Sequence, residues 1–577
     1  MKKEERTNGC FAELQEGVLH VGNRLFRYPF PNAESVTAAT DDHHGLSERF
    51  LRVVAKLDGE ERELRLWDDL KGMEFVDYHG TFSMKVTGEH WILHTVKLYD
   101  ATDHFDTLAS DSVFHMFAGN LPEAEGNLFF LENPEEENAI AFVSCAPDFL
   151  TAKLRVQKGT VQLDAQNCSF VLGFCGTGEC EKWVRSWCRR EWKPSALHAM
   201  SNTWGDYNGF SRVRHDFICR EIETAKELGI DIVQIDDGWQ TGSTADPKLR
   251  DEKNRWTFIG NFWDLNTERF PHGIAPLTAY AKENGLQLGI WFAPDSRNGF
   301  ALLERDKTVL KKAYDEWGAR YFKLDMISIL SETDRTAMLD LLETVVGFGD
   351  DVTVELDVTL GKRMGYLGAL CYGTLFVENR YTRTGNAFPH RVLRNLWMLS
   401  HYLPAAKFQF ELVNPDLNPG SYREGDPFVP SSYDMDYLFA VTMFSNPLFW
   451  MEMQFLSDER KRELRRILPI WREYREALAR ADVFPIGEKP GGRSMTGFCA
   501  VSNGGNGEDV YLLLFREITE RNEFFFRLPV AVGQPTLLGG NGEITGKAES
   551  GGIRLTFSRE RTYAFLKAKK LQANKER

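Results

Sequence analysis

The sequence is short of the features that mark several large classes of protein. Its nine cysteines are odd in number, are scattered, and form no Cys-x-x-Cys pair; even Cys175 and Cys180 are too far apart for that motif. Reduced thiols in a cytoplasmic protein fit that pattern best. Positive charge is in deficit, with 69 Lys and Arg against 84 Asp and Glu and a net charge of −15. Nucleic acid and anionic membrane are therefore not expected partners. No apolar run reaches the ~18 residues of a membrane span. Met1-Lys2-Lys3-Glu4-Glu5-Arg6 carries charge with no apolar stretch behind it, so no secretory leader is expected. No metal site is expected either. Asp41-Asp42-His43-His44 is the one local candidate, and four adjacent residues in a polar loop rarely converge on one ion.

The remaining composition is that of a globular chain, 42% hydrophobic and 27% charged, and 577 residues are enough for two to four domains. From residue 1 to 180, short apolar runs alternate with turn signals, as at 17–21, 82–86, 90–96 and 139–143. Period-two patterning at this spacing predicts an N-terminal β-sandwich. From 181 to 482 the rhythm changes. A helix over 181–192 is followed by eight strand-like runs, at 200–204, 230–235, 286–292, 321–324, 352–356, 374–377, 407–410 and 447–451. Amphipathic helices lie between them at 214–228, 272–284, 308–317, 335–346, 389–403 and 433–444. The helix in 363–370 is weak, and 457–480 closes the set. Eight βα units predict a closed (β/α)8 barrel. From 483 to 577, runs at 510–515, 523–528 and 553–557 with glycine-rich turns at 504–507 and 539–542 predict a small C-terminal β-sandwich.

In such a barrel the chemistry sits where the strands end. Taken in order, those ends carry Trp204 and Asp206; Asp236, Asp237 and Trp239; Trp291 and Asp295; Lys323 and Asp325; Glu355, Asp357 and Arg363; Glu378, Asn379 and Arg380; Glu411 and Asn414; and Glu452. Carboxylates accept from hydroxyls, Lys and Arg donate to them, and Trp packs a ring face, so the set suits a neutral polyhydroxyl substrate. Two carboxyls across a glycosidic bond can perform glycoside hydrolysis. Asp325 is the candidate nucleophile, with Lys323 two residues earlier on the same strand face to keep it ionised. Glu378, ending another strand, is the candidate acid.

Five short pieces give a resemblance. Asn202-Thr203-Trp204-Gly205-Asp206, Ile235-Asp236-Asp237-Gly238-Trp239, Phe270-Pro271-His272-Gly273, Gly289-Ile290-Trp291-Phe292-Ala293-Pro294-Asp295 and Lys323-Leu324-Asp325-Met326 resemble, in order and spacing, the α-galactosidases of glycoside hydrolase family 36. Families 27 and 31 are more distantly similar. The resemblance implies a sandwich–barrel–sandwich fold, retention of configuration, and no metal or other cofactor. It also implies Asp325 as nucleophile, Asp236, Asp237 and Lys323 on sugar hydroxyls, and Trp291 lining the pocket. Two loops depart from the family. Its Cys-Ser-Gly-Gly-type loop ending in Arg corresponds here to 355–363, with Gly361 and Arg363 kept. Its acid, in a Trp-x-Ser-Asp pattern, falls on Asn379 in an ungapped match and on Glu378 after a one-residue shift.

The leading expectation is a retaining, exo-acting, α-galactosidase-like glycosidase on an oligosaccharide or glycoside, with Glu378 as the favoured acid. A transglycosylase resembling raffinose synthases is the first alternative. A sugar-binding protein lacking the usual acid is the second. A phosphate-using barrel enzyme is weaker, because Asn414-Pro415-Asp416-Leu417-Asn418-Pro419-Gly420 is not a glycine-rich phosphate cradle. The sugar, the linkage and any homo-oligomer are left open by the sequence.

Overall fold

The structure is a computed structural model. It describes residues 4–571 except 8–9, 16–17, 23–26, 32, 43–48, 58–59, 68–71, 87, 89, 100–108, 147–149, 193, 195, 207–208, 210–211, 245–258, 358–362, 378 and 503–508. His43 and His44 thus lie outside the described residues, as does Glu378, while Asp41 and Asp42 end the strand Ala33–Asp42. The chain falls into two compact units. One is built on the residues up to Glu191 together with Met364–Leu370, and the other on Trp192–Arg363 and Cys371–Arg577.

The first unit holds a nine-stranded and two four-stranded antiparallel sheets. The alternation read from the sequence is visible in Ala152–Gln157, whose residues are buried and less buried in turn. Side chains from the nine-stranded sheet, including Leu93, Phe129 and Phe142, meet Phe82, Leu154 and Val161 of the facing four-stranded sheet in one core. Phe75 stacks on Phe170 at 4.6 Å within it. Helix Cys180–Glu191 lays Trp183 on the sheet at Gly173, where a Cβ would stand 2.2 Å from the indole. Only glycine allows that approach.

The barrel dominates the second unit. Its strands are β1 (Met200–Asn202), β2 (Ile232–Ile235), β3 (Gln287–Phe292), β4 (Tyr321–Leu324), β5 (Thr353–Leu356), β6 (Thr374–Phe376), β7 (Phe408–Leu412) and β8 (Asn446–Phe449). Every neighbouring pair is parallel, and β8 closes on β1 through Met200–Leu448 and Ser201–Phe449. The runs are apolar because the strands are covered outside by helices and filled inside by one another's side chains. The predicted helices are present, among them α1 (His215–Leu228), α2 (Ala275–Glu283), α3 (Leu303–Trp317) and α4 (Glu332–Val346). α1 and α3 end on Gly229 and Gly318, both left-handed. Ser331 caps α4 by accepting from the Asp334 amide. The weak helix of the fifth unit is a single turn, Gly365–Gly368, and belongs to the first compact unit, where the Tyr366 hydroxyl donates to the Tyr99 carbonyl at 3.1 Å.

The C-terminal residues form a five-stranded and a three-stranded antiparallel sheet around one core, with Leu512 and Leu514 facing Phe526, Ile553 and Leu555. The turn expected over 539–542 begins later than predicted. Gly539 and Gly540 still belong to the strand Thr536–Gly540, where the register slips between Leu537 and Gly539 and a Cβ on Gly539 would press on Ile467. Among the described residues no helix is long and apolar enough to cross a membrane.

Candidate active site

The barrel's hydrogen-bond ladder runs one residue beyond the strands and so fixes where the polar side chains begin. The Asp325 amide donates to the Phe292 carbonyl and the Asp357 amide to the Leu324 carbonyl, each at 2.9 Å. Register sets Trp291, Lys323 and Glu355 side by side on β3, β4 and β5. With period two, Asp325 and Asp357 stand one step further along the same face.

Lys323 is the hub. Its Nζ lies 2.9 Å from Asp236 Oδ2 and 2.7 Å from Asp357 Oδ2, and all three side chains are at most 3% exposed. It also stands 4.8 Å above the Trp450 ring at the end of β8, a cation–π contact. Asp236 Oδ2 accepts a second bond, from Asn202 Nδ2 at 2.7 Å, and its amide donates to the Thr203 hydroxyl. Burial works against the ammonium, but Asp236, Asp357, Asp325 and Glu355 together hold its pKa well above the ordinary lysine range.

Asp325 is buried next to this hub and is held by neutral donors. Trp291 Nε1 donates to Oδ2 at 2.8 Å, and the Met326 amide donates to Oδ1. Met326 itself takes φ 54, a left-handed conformation that costs a non-glycine residue about 1 kcal/mol or more. Burial and then the Asp357 charge push the Asp325 carboxyl well above the usual carboxylate range, and Lys323 pulls it only part of the way back. The sequence reading had Lys323 keeping Asp325 ionised; the ammonium instead spends its contacts on Asp236 and Asp357. Glu355, fully buried one layer below, makes no hydrogen bond of good geometry among the described residues, although the Tyr321 hydroxyl faces it. Burial, opposed by Lys323 and reinforced by Asp357, pushes it up to about 8.

The other predicted residues occupy varied places. Asp237 Oδ1 accepts from Gln240 and Oδ2 from the Thr244 hydroxyl, so both oxygens are taken up within its own loop; burial pushes it up to about 7. Trp239 is 1% exposed, wedged against Trp263 and Trp317, and its Nε1 donates to the Trp291 carbonyl at 2.8 Å. It thus buttresses the residue that holds Asp325. Arg363 donates to the carbonyls of Leu356 and Phe376 and braces the ends of β5 and β6. Asn379 and Arg380 are buried. Trp204 is half-buried against the cluster that contains Trp450. Asp206 accepts from the Glu452 amide at 3.2 Å, and burial, then the Glu452 charge, push it up to about 8. Asp357, one of the strand-end residues, touches the hub with no role expected for it, and Asn202 and Trp450 touch it from outside that set. Their signal was position alone, each at or just past the end of a barrel strand.

The melibiase family model matches residues 179–322. The α-galactosidase Mel36A of Lactobacillus acidophilus is 28% identical over 115 residues, 20% of this chain and 14% of that one. The α-galactosidase AgaA of Geobacillus stearothermophilus is 32% identical over 103 residues, 18% of this chain and 12% of that one. These matches therefore span about one-seventh of the relatives' own length or less. The fold likeness extends further. The structure of an α-galactosidase from Lactobacillus brevis superposes with a TM-score of 0.68 at 10% identity, covering 100% of this chain and 99% of that one. A variant of the Geobacillus enzyme in complex with raffinose superposes with a TM-score of 0.62 at 14% identity, covering 99% and 84%. The sequence matches show a likeness to melibiases and α-galactosidases over part of the barrel, and the superpositions show that the chain shares the architecture of the glycoside hydrolase family 36 α-galactosidases.

Proposed function

We propose that the protein is a retaining, exo-acting α-glycosidase of the α-galactosidase type, releasing a terminal α-linked sugar from an oligosaccharide in the cytoplasm. One observation carries the reading. Asp325 ends β4 of a closed barrel with each carboxyl oxygen held by one donor, Trp291 Nε1 and the Met326 amide, beside a buried Asp236–Lys323–Asp357 cluster. Donors on both oxygens fix the carboxyl's orientation, which is what an attacking group needs. In the reaction, Asp325 forms a bond to the anomeric carbon as the glycosidic bond breaks, and Glu378 gives its proton to the departing oxygen. Water deprotonated by Glu378 then breaks the glycosyl ester and restores both carboxyls. Asp236 and Lys323 accept from and donate to the sugar's hydroxyls, and Trp204 offers a ring face. The α-galactosidases that the chain matches, one of them seen with raffinose, support an oligosaccharide as substrate.

Asp325→Asn tests this. Turnover of an aryl α-galactoside is expected to fall by about 10³-fold or more in a folded variant. Activity at the parent level would remove Asp325 as nucleophile. The position of Asn379 favours one competing reading, a sugar-binding protein without an acid. Tight sugar binding with no turnover by the parent protein would select that reading.

A further inference from the structure

We propose that Asp357 is a positioning residue for the reaction proposed above: it takes one side of the Lys323 ammonium while Asp236 takes the other, and so leaves Asp325 to neutral donors. The inference rests on Asp325 being the nucleophile. Its geometric basis is the parallel register. Lys323 and Glu355 are paired across β4 and β5, and the ladder continues through the amides of Asp325 and Asp357. The two aspartates are therefore neighbours on one face of adjacent strands. Lys323 lies 2.7 Å from Asp357 and 2.9 Å from Asp236. Four buried carboxyls, Asp236, Asp325, Glu355 and Asp357, act on the Lys323 ammonium, which pairs directly with Asp236 and Asp357.

The groups acting on Asp325 come from four strands: Lys323 from its own, Trp291 from β3, Asp236 from β2 and Asp357 from β5. Among the charges, Asp357 opposes ionisation of Asp325 most strongly after burial itself. Asp357 thus does two things through one carboxylate. It holds the ammonium in place for the substrate's hydroxyls, and it delays formation of the Asp325 carboxylate. A larger alkaline requirement for the nucleophile follows.

The test is the pH dependence of covalent labelling by an α-galactosyl fluoride analogue with a ring fluorine, which traps the nucleophile without help from an acid. Peptide mass analysis of the parent protein is expected to place the label on Asp325, with half-maximal labelling above the ordinary carboxylate range. Asp357→Asn removes the charge at constant shape, and the half-maximal pH is expected to fall by about one unit. Asp357→Ser serves the same comparison if the Asn protein does not fold. Asp357→Glu keeps the charge and is expected to hold the parent's midpoint within a few tenths of a unit. A midpoint unmoved by the neutral substitutions, or moved as far by Glu as by Asn, overturns the role of Asp357 alone. A parent protein that never carries the label on Asp325 overturns the underlying reading and this inference with it.

Discussion

At the scale of single residues, the site gathers buried carboxyls around the Lys323 ammonium. Glu355 shows the effect of burial there. Its carboxyl sits at about 8 in the folded chain against 4.5 as its ordinary value, because burial disfavours the anion. A raised acid holds its proton in the native state after the unfolded chain has lost it. The stabilisation from that proton is complete below about pH 4.5 and drains away as the pH climbs to about 8. Glu355→Gln imitates the protonated form and has nothing to lose. Urea unfolding should find it about 1 to 3 kcal/mol more stable than the parent at pH 8, and equal to it near pH 5. An equal effect at both values would show that shape, not charge, is at stake. The sequence makes the ingredients of this cluster legible, since Lys323, Asp325 and Asp236 all sit where apolar runs turn polar. It does not make the pairing legible. Which carboxylate Lys323 chooses depends on register between strands and on rotamers, and neither is written in local spacing. For the same reason, strand-end position alone could not tell Asp325, turned toward the hub, from Asp237, whose oxygens go to Gln240 and Thr244.

At the scale of elements, the barrel was the most legible part of the chain. Parallel strands covered on both faces read as unbroken apolar runs, and the helices between them keep one apolar stripe. All eight strands fall within a few residues of their predicted places. Helix starts were harder to see. α4 was expected from Arg335 and begins at Glu332, because Ser331 closes its first turn with a side-chain bond that periodicity does not register. The first turn of the helix that follows the Asp325 strand is therefore closed by a cap. Ser331→Ala should cost about 1 kcal/mol by thermal or urea unfolding and leave kcat unchanged. A loss of kcat at full occupancy of the fold would mean that the cap also positions the strand end. The helix over 363–370 reads as weak, and the structure forms only the single turn Gly365–Gly368 there.

At the scale of the whole molecule, chain order and compact units do not coincide. The first unit includes Met364–Leu370, drawn from the middle of the barrel's own sequence, and Tyr366 there bonds to the Tyr99 carbonyl. A fragment ending at Glu191 lacks that segment. It is expected to show a lower melting temperature and more aggregation than the full chain, and adding a peptide covering 364–370 should recover part of the difference by calorimetry. A fragment as stable as the same region in the full chain would show that the borrowed segment contributes nothing. There is also a consequence for the ribosome. The N-terminal part of the first unit, which ends at Glu191, leaves the exit tunnel roughly 170 positions before the segment that completes it at Met364–Leu370. At ordinary elongation rates the nascent sheets wait on the order of ten to thirty seconds for their last piece. During that interval their uncovered patch is a client for chaperones, and slowing translation downstream of codon 191 should lengthen the exposure.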